Sequence, residues 1–78
     1  MQKIIDGYLY DTATATLLYE DKSNYPRNID YYVTPKHNYF VVYSNKELQV
    51  VEEAFIKDIL GKNDIAKYIE VFGEPQEG

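Results

Sequence analysis

The stretch from Asp30 to Ser44 constrains the fold of this chain more than any other part of the sequence. It holds two runs rich in β-branched and aromatic residues, and the breakers Pro35, His37 and Asn38 lie between them. Runs of this kind favour strands, and a short breaker segment between two of them is typical of a β-hairpin. The sequence therefore predicts a central hairpin, with further strands before it and helices after it.

The second arm of this hairpin is apolar on both faces. Because side chains alternate along a strand, its residues divide into two sets. Phe40 and Val42 lie on one face, and Tyr39, Val41 and Tyr43 lie on the other. Either both faces are covered in the folded protein, or one of them is an exposed surface rich in tyrosine.

The residues before the central hairpin predict more strand. An Asp-Gly pair between two apolar runs indicates a tight hairpin over residues 3–10, since Gly7 accepts the positive φ of a type I′ turn. We then predict one helical turn capped by Asp11 and a strand over residues 16–20, with a continuous strand as the alternative. Residues 21–28 are predicted to form a polar loop.

The residues after the central hairpin predict a short strand over residues 46–51 and two helices, over residues 52–60 and 65–72. Gly61 and Gly73 each stand where a helix commonly ends. Apolar spacing predicts the buried stripes Phe55, Ile56, Ile59 and Leu60 in the first helix and Ile65, Tyr68, Ile69 and Phe72 in the second.

Together these elements predict a single α+β domain over residues 1–73, followed by a flexible tail over residues 74–78. Its sheet is antiparallel, four- or five-stranded and built mostly of hairpins, with the two C-terminal helices packed on one face. The chain has no cysteine, so disulfides and thiolate metal sites are excluded. No segment approaches the ~20 apolar residues of a membrane span, and the apolar N-terminal stretch is too short for a signal peptide. We therefore expect a soluble protein of a reducing compartment, the cytoplasm.

The net charge of −5 is unevenly placed along the chain. Residues 1–46 carry five acids and five bases, whereas residues 47–78 carry eight acids and three lysines. Direct binding of nucleic acid needs a basic face for the phosphates, so we do not expect it here. An acidic protein can instead compete with nucleic acid for a basic partner.

The opening I-I-D-G-Y-L-Y-D-T-A-T-A, residues 4–15, resembles the start of a group of small proteins encoded by bacteriophages and mobile elements. That start reads I-I-N/D-G-x-x-Y-D-T-x-T-A. Further counterparts lie at residues 31–34, 39–42, 52–54 and 68–74, so the resemblance covers most of the chain. The turn at residues 35–38 departs from the group, which has a basic residue and glycine there.

The resemblance implies a fold and a phage or mobile-element setting. In that setting, very small acidic proteins without cysteine are often inhibitors of host defence, such as anti-CRISPR or anti-restriction proteins. The matching residues are turn glycines, caps and aromatics, which are structural. The resemblance therefore carries no catalytic residue over to this chain.

Candidate catalytic residues are few. His37 is the only histidine, and it has neither a second histidine nor a cysteine to complete a metal site. Glu52 and Glu53 are adjacent, so on a helix they point about 100° apart, and their negative charge suits the first turn. We predict a protein that is not an enzyme and that needs no metal or cofactor.

Two sets of residues are candidates for protein binding. The tyrosines either rim the core with their hydroxyls in water or form an interface patch. The acids of the helices either form a solvated face, with pairs such as Glu53–Lys57 and Lys67–Glu70, or mimic nucleic acid. The candidate partner-binding residues are Tyr32, Tyr39, Tyr43, Glu52, Glu53, Asp58 and Glu70.

The expected function is inhibition without catalysis. A phage or mobile-element protein of this kind would bind a host protein or ribonucleoprotein defence complex. It would block the nucleic-acid-binding surface of that complex sterically or by charge competition. The alternative is a structural or regulatory accessory domain that homodimerises through a tyrosine-rich sheet face.

Overall fold

The computed structural model describes residues 1–24 and 26–78, which form strands followed by two helices. The elements are β1 (Gln2–Ile5), β2 (Tyr8–Asp11), β3 (Thr16–Asn24), β4 (Arg27–Val33), β5 (Tyr39–Tyr43), β6 (Leu48–Val51), α1 (Glu53–Asn63) and α2 (Ile65–Phe72). β3 to β6 form an antiparallel four-stranded sheet in chain order, and β1 pairs with β2 in a separate hairpin. The predicted α+β fold is confirmed. Neither helix has the length and apolar run that would let it cross a membrane.

Both predicted hairpin turns form where the sequence places them. Asp6 and Gly7 have φ values of 51° and 80°, the left-handed conformation that a two-residue hairpin turn requires. In the central hairpin, the Thr34 N–H donates to the Asn38 carbonyl at 2.8 Å, and His37 adopts a φ of 65°. Local turn chemistry therefore sets the register of both hairpins.

Both faces of the four-stranded sheet are covered. Tyr39 and Val41 pack beneath α1 in one buried cluster, whereas Phe40 packs beneath the β1–β2 hairpin in another. The first cluster consists of Leu18, Tyr31, Tyr39, Val41, Ile56 and Leu60. The second consists of Tyr10, Phe40 and Leu48. The predicted alternation is confirmed, and the sheet is the middle layer of three.

The loop predicted over residues 21–28 is wrong for most of its length. β3 runs to Asn24 and β4 begins at Arg27, with Asp21 opposite Ile29 in the antiparallel ladder. Pairing with a neighbouring strand outweighs the low strand propensity of these polar residues. Residue 25 of the predicted loop lies outside the described residues.

Residues 12–15 form a turn rather than a continuous strand. The Asp11 carboxylate accepts a hydrogen bond from the Ala13 N–H at 2.9 Å, and the Asp11 carbonyl accepts one from the Ala15 N–H at 2.9 Å. The predicted capping by Asp11 is therefore confirmed. The strand predicted over residues 16–20 is present as the first half of β3.

The first helix does not end at Gly61 as predicted. α1 continues to Asn63, and a Cβ added at Gly61 would meet Tyr68 at an ordinary contact distance of 3.9 Å. The helix ends because Asp64 leaves helical geometry and caps α2, its carboxylate accepting from the Lys67 N–H at 3.1 Å. Gly73 ends α2 with a φ of 87°, as predicted.

The predicted buried stripes are wrong at three positions. Phe55, Ile65 and Ile69 are 45%, 63% and 38% exposed. In α2, the residues that pack against the core are Tyr68, Val71 and Phe72. The large aromatic rings turn toward Tyr39 and α1, and this rotation leaves the isoleucines of α2 in solvent.

Candidate functional site

The predicted tyrosine patch is divided between the two faces of the sheet. Tyr39 is only 7% exposed, and its ring lies 6.1 Å from the Phe72 ring. Tyr43 shares its face, and the Tyr43 hydroxyl donates to Gln49 Oε1 at 3.1 Å. Tyr32 lies on the opposite face and stacks on Phe40 at 5.1 Å. The expected exposure of Tyr39 is therefore wrong, and these tyrosines do not form one continuous surface.

Burial also changes the acid–base behaviour of these rings. Desolvation raises the pKa of the Tyr39 hydroxyl, and the negative charge of Glu53 raises it further. Desolvation likewise raises the pKa of the Tyr32 hydroxyl. At both positions the folded protein therefore favours the neutral phenol over the phenolate.

The predicted acids lie on the exposed surface of the helical layer. Glu52 precedes α1 and makes no side-chain capping bond. The other three form ion pairs: Glu53–Lys57 at 3.2 Å, Asp58–Lys62 at 3.2 Å and Glu70–Lys67 at 2.6 Å. Exposed pairs of this kind contribute roughly 0.3–0.5 kcal/mol each, so they are easily exchanged for other cations. We call the four exposed acids Glu52, Glu53, Asp58 and Glu70 together the acidic helical side, in which Glu53 and Asp58 point about 140° apart around α1.

A second acidic feature lies on the other face of the sheet. Glu20 and Asp30 are directly opposite each other on β3 and β4. Partial burial raises the pKa of the Asp30 carboxyl and the Glu20 charge raises it further, while Lys22 lowers it. The charged form of Asp30 is thus less favourable in the folded protein than in the unfolded chain.

Replacing Asp30 with asparagine is expected to stabilise the protein at pH 7. Partial burial of the Asp30 carboxylate and the like charge of Glu20 opposite it both disfavour the charged form, and we expect a gain of about the size of one cross-strand pair, roughly 0.2–1 kcal/mol. A carboxyl whose pKa is raised on folding favours the folded state at low pH and loses that advantage as the pH rises. The gain from D30N should therefore disappear below the ordinary carboxyl pKa of about 4. Urea unfolding at several pH values measures it.

Asp21 provides the matched control for this prediction. Its carboxylate accepts hydrogen bonds from the Ser23 hydroxyl and N–H, and these lower the pKa of Asp21. Asp21→Asn should therefore reduce stability at pH 7, the opposite sign to Asp30→Asn. If both variants shift stability in the same direction, the proposed destabilisation by the ionised Asp30 carboxylate is wrong.

A cleft of about 920 Å³ opens where β4 begins and β5 ends. Its lining is Arg27, Asn28, Ile29, Tyr43, Ser44, Asn45, Glu47 and Gln49. Asn28 Oδ1 is buried there without a hydrogen-bond partner among residues 1–24 and 26–78. This lining includes no histidine that could activate Ser44. Across the described part of the chain, no three His, Asp or Glu side chains are grouped to hold a metal ion.

One exposed surface was not identified from the sequence. Ile4 and Leu9 are cross-strand neighbours on β1 and β2, and they are 72% and 54% exposed. They lie on the outer face of the hairpin, opposite Ile5 and Tyr10, which pack on the sheet. The signal was present in the alternation around the Asp-Gly turn, which places Ile4 and Leu9 on the same side.

Several other large apolar residues are exposed around this hairpin. Leu17 and Val50 lie on the same face of the sheet as Tyr32 and Phe40, and Tyr8 lies next to the hairpin turn. Leu17 is 38% exposed, Val50 is 40% exposed and Tyr8 is 53% exposed. These residues do not form one surface, because Tyr8 is paired with Ile5 and so lies on the face of the hairpin opposite Ile4 and Leu9. We call the exposed outer pair, Ile4 and Leu9, the hairpin side.

No protein-family model, curated protein or solved structure matches this chain. Its two distinctive surfaces are the acidic helical side and the hairpin side, which lie on opposite sides of the central sheet.

Proposed function

We propose that this protein is a non-enzymatic inhibitor, encoded by a phage or mobile element, that binds a host defence complex. It covers a basic nucleic-acid-binding surface of that complex with its acidic helical side. The observation that carries the proposal is the placement of charge. Residues 47–78 hold the whole net charge of −5, which is spread over the turn before β6, the two helices and the segment after α2.

The ion pairs of the helices allow this surface to bind a basic partner at low cost. Glu53, Asp58 and Glu70 are paired with lysines on their own helices, at the exposed surface. Because such pairs are weak, an arginine or lysine of the partner can replace the intramolecular lysine with little loss. Glu52 has no ion-pair partner among residues 1–24 and 26–78. Its carboxylate can therefore bind a cation of the partner without first giving up an intramolecular lysine.

The charge also affects how fast the complex forms. A net negative protein is attracted toward a positive surface, and complementary fields raise the association rate more than they raise the final affinity. The same basic surface of the host complex binds nucleic acid, so this protein and the nucleic acid would compete for it directly. Steric coverage by a three-layered domain would then keep the nucleic acid away after binding.

The proposal is tested by titrating the purified protein into a panel of CRISPR effectors and restriction endonucleases and measuring DNA cleavage. We expect inhibition of at least one member, weaker at high salt because screening reduces the attraction of exposed charges. The double variant Glu52→Lys with Asp58→Lys should raise the inhibitory concentration by roughly tenfold or more, which corresponds to about 1.4 kcal/mol.

The tail provides a matched control. Glu74→Lys with Glu77→Lys changes the net charge by the same amount, but places the change after the end of α2. This variant should keep most of its potency if the acidic helical side makes the contact. Equal loss in both variants would point to net charge alone, and full potency in the helical variant would exclude charge competition. Failure to inhibit any member of the panel would contradict the proposed function.

A further inference from the structure

The cleft of about 920 Å³ lies where β5 stops pairing with β4. The last pair of that ladder is Ile29 with Tyr43, and the chain then leaves β5 through a turn in which Lys46 has a φ of 67°. β4 extends past this point to Arg27, which remains paired with Asn24 of β3. The first residues of β4 therefore have a neighbouring strand on one side and none on the other, which we call the open side of β4.

The backbone of Asn28 points toward the open side of β4. In the β4–β5 ladder the Thr34 N–H donates to the Asn38 carbonyl, so every second residue of β4, counted back from Thr34, directs its N–H and C=O toward β5. Asn28 is one of these residues, and the position opposite it belongs to Ser44. Ser44 lies in the turn, and no backbone hydrogen bond joins it to Asn28 among residues 1–24 and 26–78. Asn28 thus presents a backbone donor and acceptor to the cleft that it lines.

Arg27 adds a positive charge at the same end of the cleft. It is the only arginine of the chain, it is exposed, and it forms no ion pair with another described residue. Side-chain alternation places Arg27 on the same face as Ile29, beside the Tyr43 ring. Glu47, the acid of the lining, follows on the far side of β5, so two strand spacings, about 10 Å, separate it from β4. The cleft therefore combines a half-buried apolar floor with a guanidinium at one end.

We propose that this cleft binds the carboxyl-terminal end of an extended peptide of a partner protein. A backbone donor and acceptor in strand geometry are matched by another peptide backbone, which adds to the open side of β4 as a short strand would. Arg27 selects the end of that peptide, because a guanidinium binds a carboxylate through two parallel hydrogen bonds and a main chain carries a carboxylate only at its C-terminus. The volume lies within the range of ligand pockets, so it holds a few residues rather than a folded domain.

This site goes beyond the proposed inhibition and does not depend on it. None of the residues that line the cleft belongs to α1 or α2, which carry three of the four acids of the acidic helical side. Inhibition is measured by DNA cleavage, whereas the cleft is tested by peptide binding. A protein that inhibits through its acids remains active with an empty cleft, so each proposal can fail without the other.

The test is an NMR titration of the isotope-labelled protein with a pool of acetylated, randomised tetrapeptides that end in a free carboxylate. We expect the backbone amide signals that shift to be confined to residues 27–29 and 43–49, which line or adjoin the cleft. The same pool with amidated C-termini should bind at least about tenfold more weakly, because it has no carboxylate for Arg27. Arg27→Gln should bind the two pools equally weakly.

Lys36→Gln is the matched control, since it removes one exposed positive charge at the opposite end of the β4–β5 hairpin. This variant should keep the preference for the free carboxylate. A pool methylated on its backbone nitrogens should lose binding to the wild-type protein, because it cannot donate to the Asn28 carbonyl. The proposal is overturned if the carboxylate pool shifts no signal at the cleft. It is also overturned if the wild-type protein binds the carboxylate and amidated pools equally well, a result that requires no variant to fold.

Discussion

Replacing Phe40 with alanine is expected to lower the free energy of unfolding by about 3–5 kcal/mol. The side chain is fully buried, stacked on Tyr32 at 5.1 Å and in edge-to-face contact with Tyr10 at 5.5 Å. A loss of this size approaches the whole stability that a single core supplies in a domain this small. We therefore expect F40A to be largely unfolded at 25 °C, which urea titration with circular dichroism would measure.

Phe40 has a further role that enlarges this effect. It belongs to the cluster through which Tyr10 and Ile5 attach the β1–β2 hairpin to the sheet. A two-stranded hairpin alone is marginally stable at best, so losing its anchor should release it before the sheet unfolds. In the wild-type protein, which stays folded, hydrogen exchange should accordingly show faster opening of β1 and β2 than of β5.

Phe55 is the matched control, since it is the same residue type at 45% exposure. Phe55→Ala removes the same atoms, but leaves no closed cavity and loses less buried area. We expect it to cost well under half of the Phe40 effect. Equal losses at the two positions would contradict the placement of Phe40 in the core.

Replacing Tyr39 with alanine is expected to cost about 3 kcal/mol, the lower end of the range for large aromatic residues. Tyr39 is 7% exposed, lies opposite Val33 and Val51 in the sheet, and packs against Phe72. Its loss leaves a cavity between the sheet and α2. Equilibrium unfolding in urea measures the cost, and fluorescence of the remaining tyrosines reports the same transition.

The variant Tyr43→Ala distinguishes a structural role of Tyr39 from a binding role. Tyr43 lies on the same face and strand, but its hydroxyl reaches the surface, where it donates to Gln49. Tyr43→Ala should therefore destabilise the protein much less than Tyr39→Ala. If the two variants are equally stable and Y39A alone abolishes partner binding, Tyr39 acts in binding rather than in the core.

The acidic part of the candidate site could be predicted from the sequence, because charged side chains are rarely buried. Local periodicity predicts all four acids on helices; Glu53, Asp58 and Glu70 lie there, Glu52 directly precedes α1, and all four are exposed. The tyrosines were less predictable, since a tyrosine suits both a core and an interface. The packing of α2 against the sheet, and not the sequence of β5, buries Tyr39.

The sequence by itself determined the features that depend on neighbouring residues. These include the Asp6-Gly7 turn, the breaker turn before Tyr39, and the bounds of α2 from Ile65 to Phe72. Each follows from the φ values or hydrogen bonds that a few consecutive residues can adopt. Such local preferences act before any tertiary contact forms, and the pattern of residues reports them directly.

Tertiary contacts determined the structure wherever local preferences were outweighed or gave no indication. Pairing with β4 extends β3 through polar residues as far as Asn24. In α1, the helix continues past Gly61, and the Tyr68 side chain packs near that glycine. Contacts between distant segments also determine which apolar residues stay exposed, as at Ile4 and Ile65. Burial is a property of the whole assembled surface, so periodicity along one element identifies its apolar face but not what covers that face.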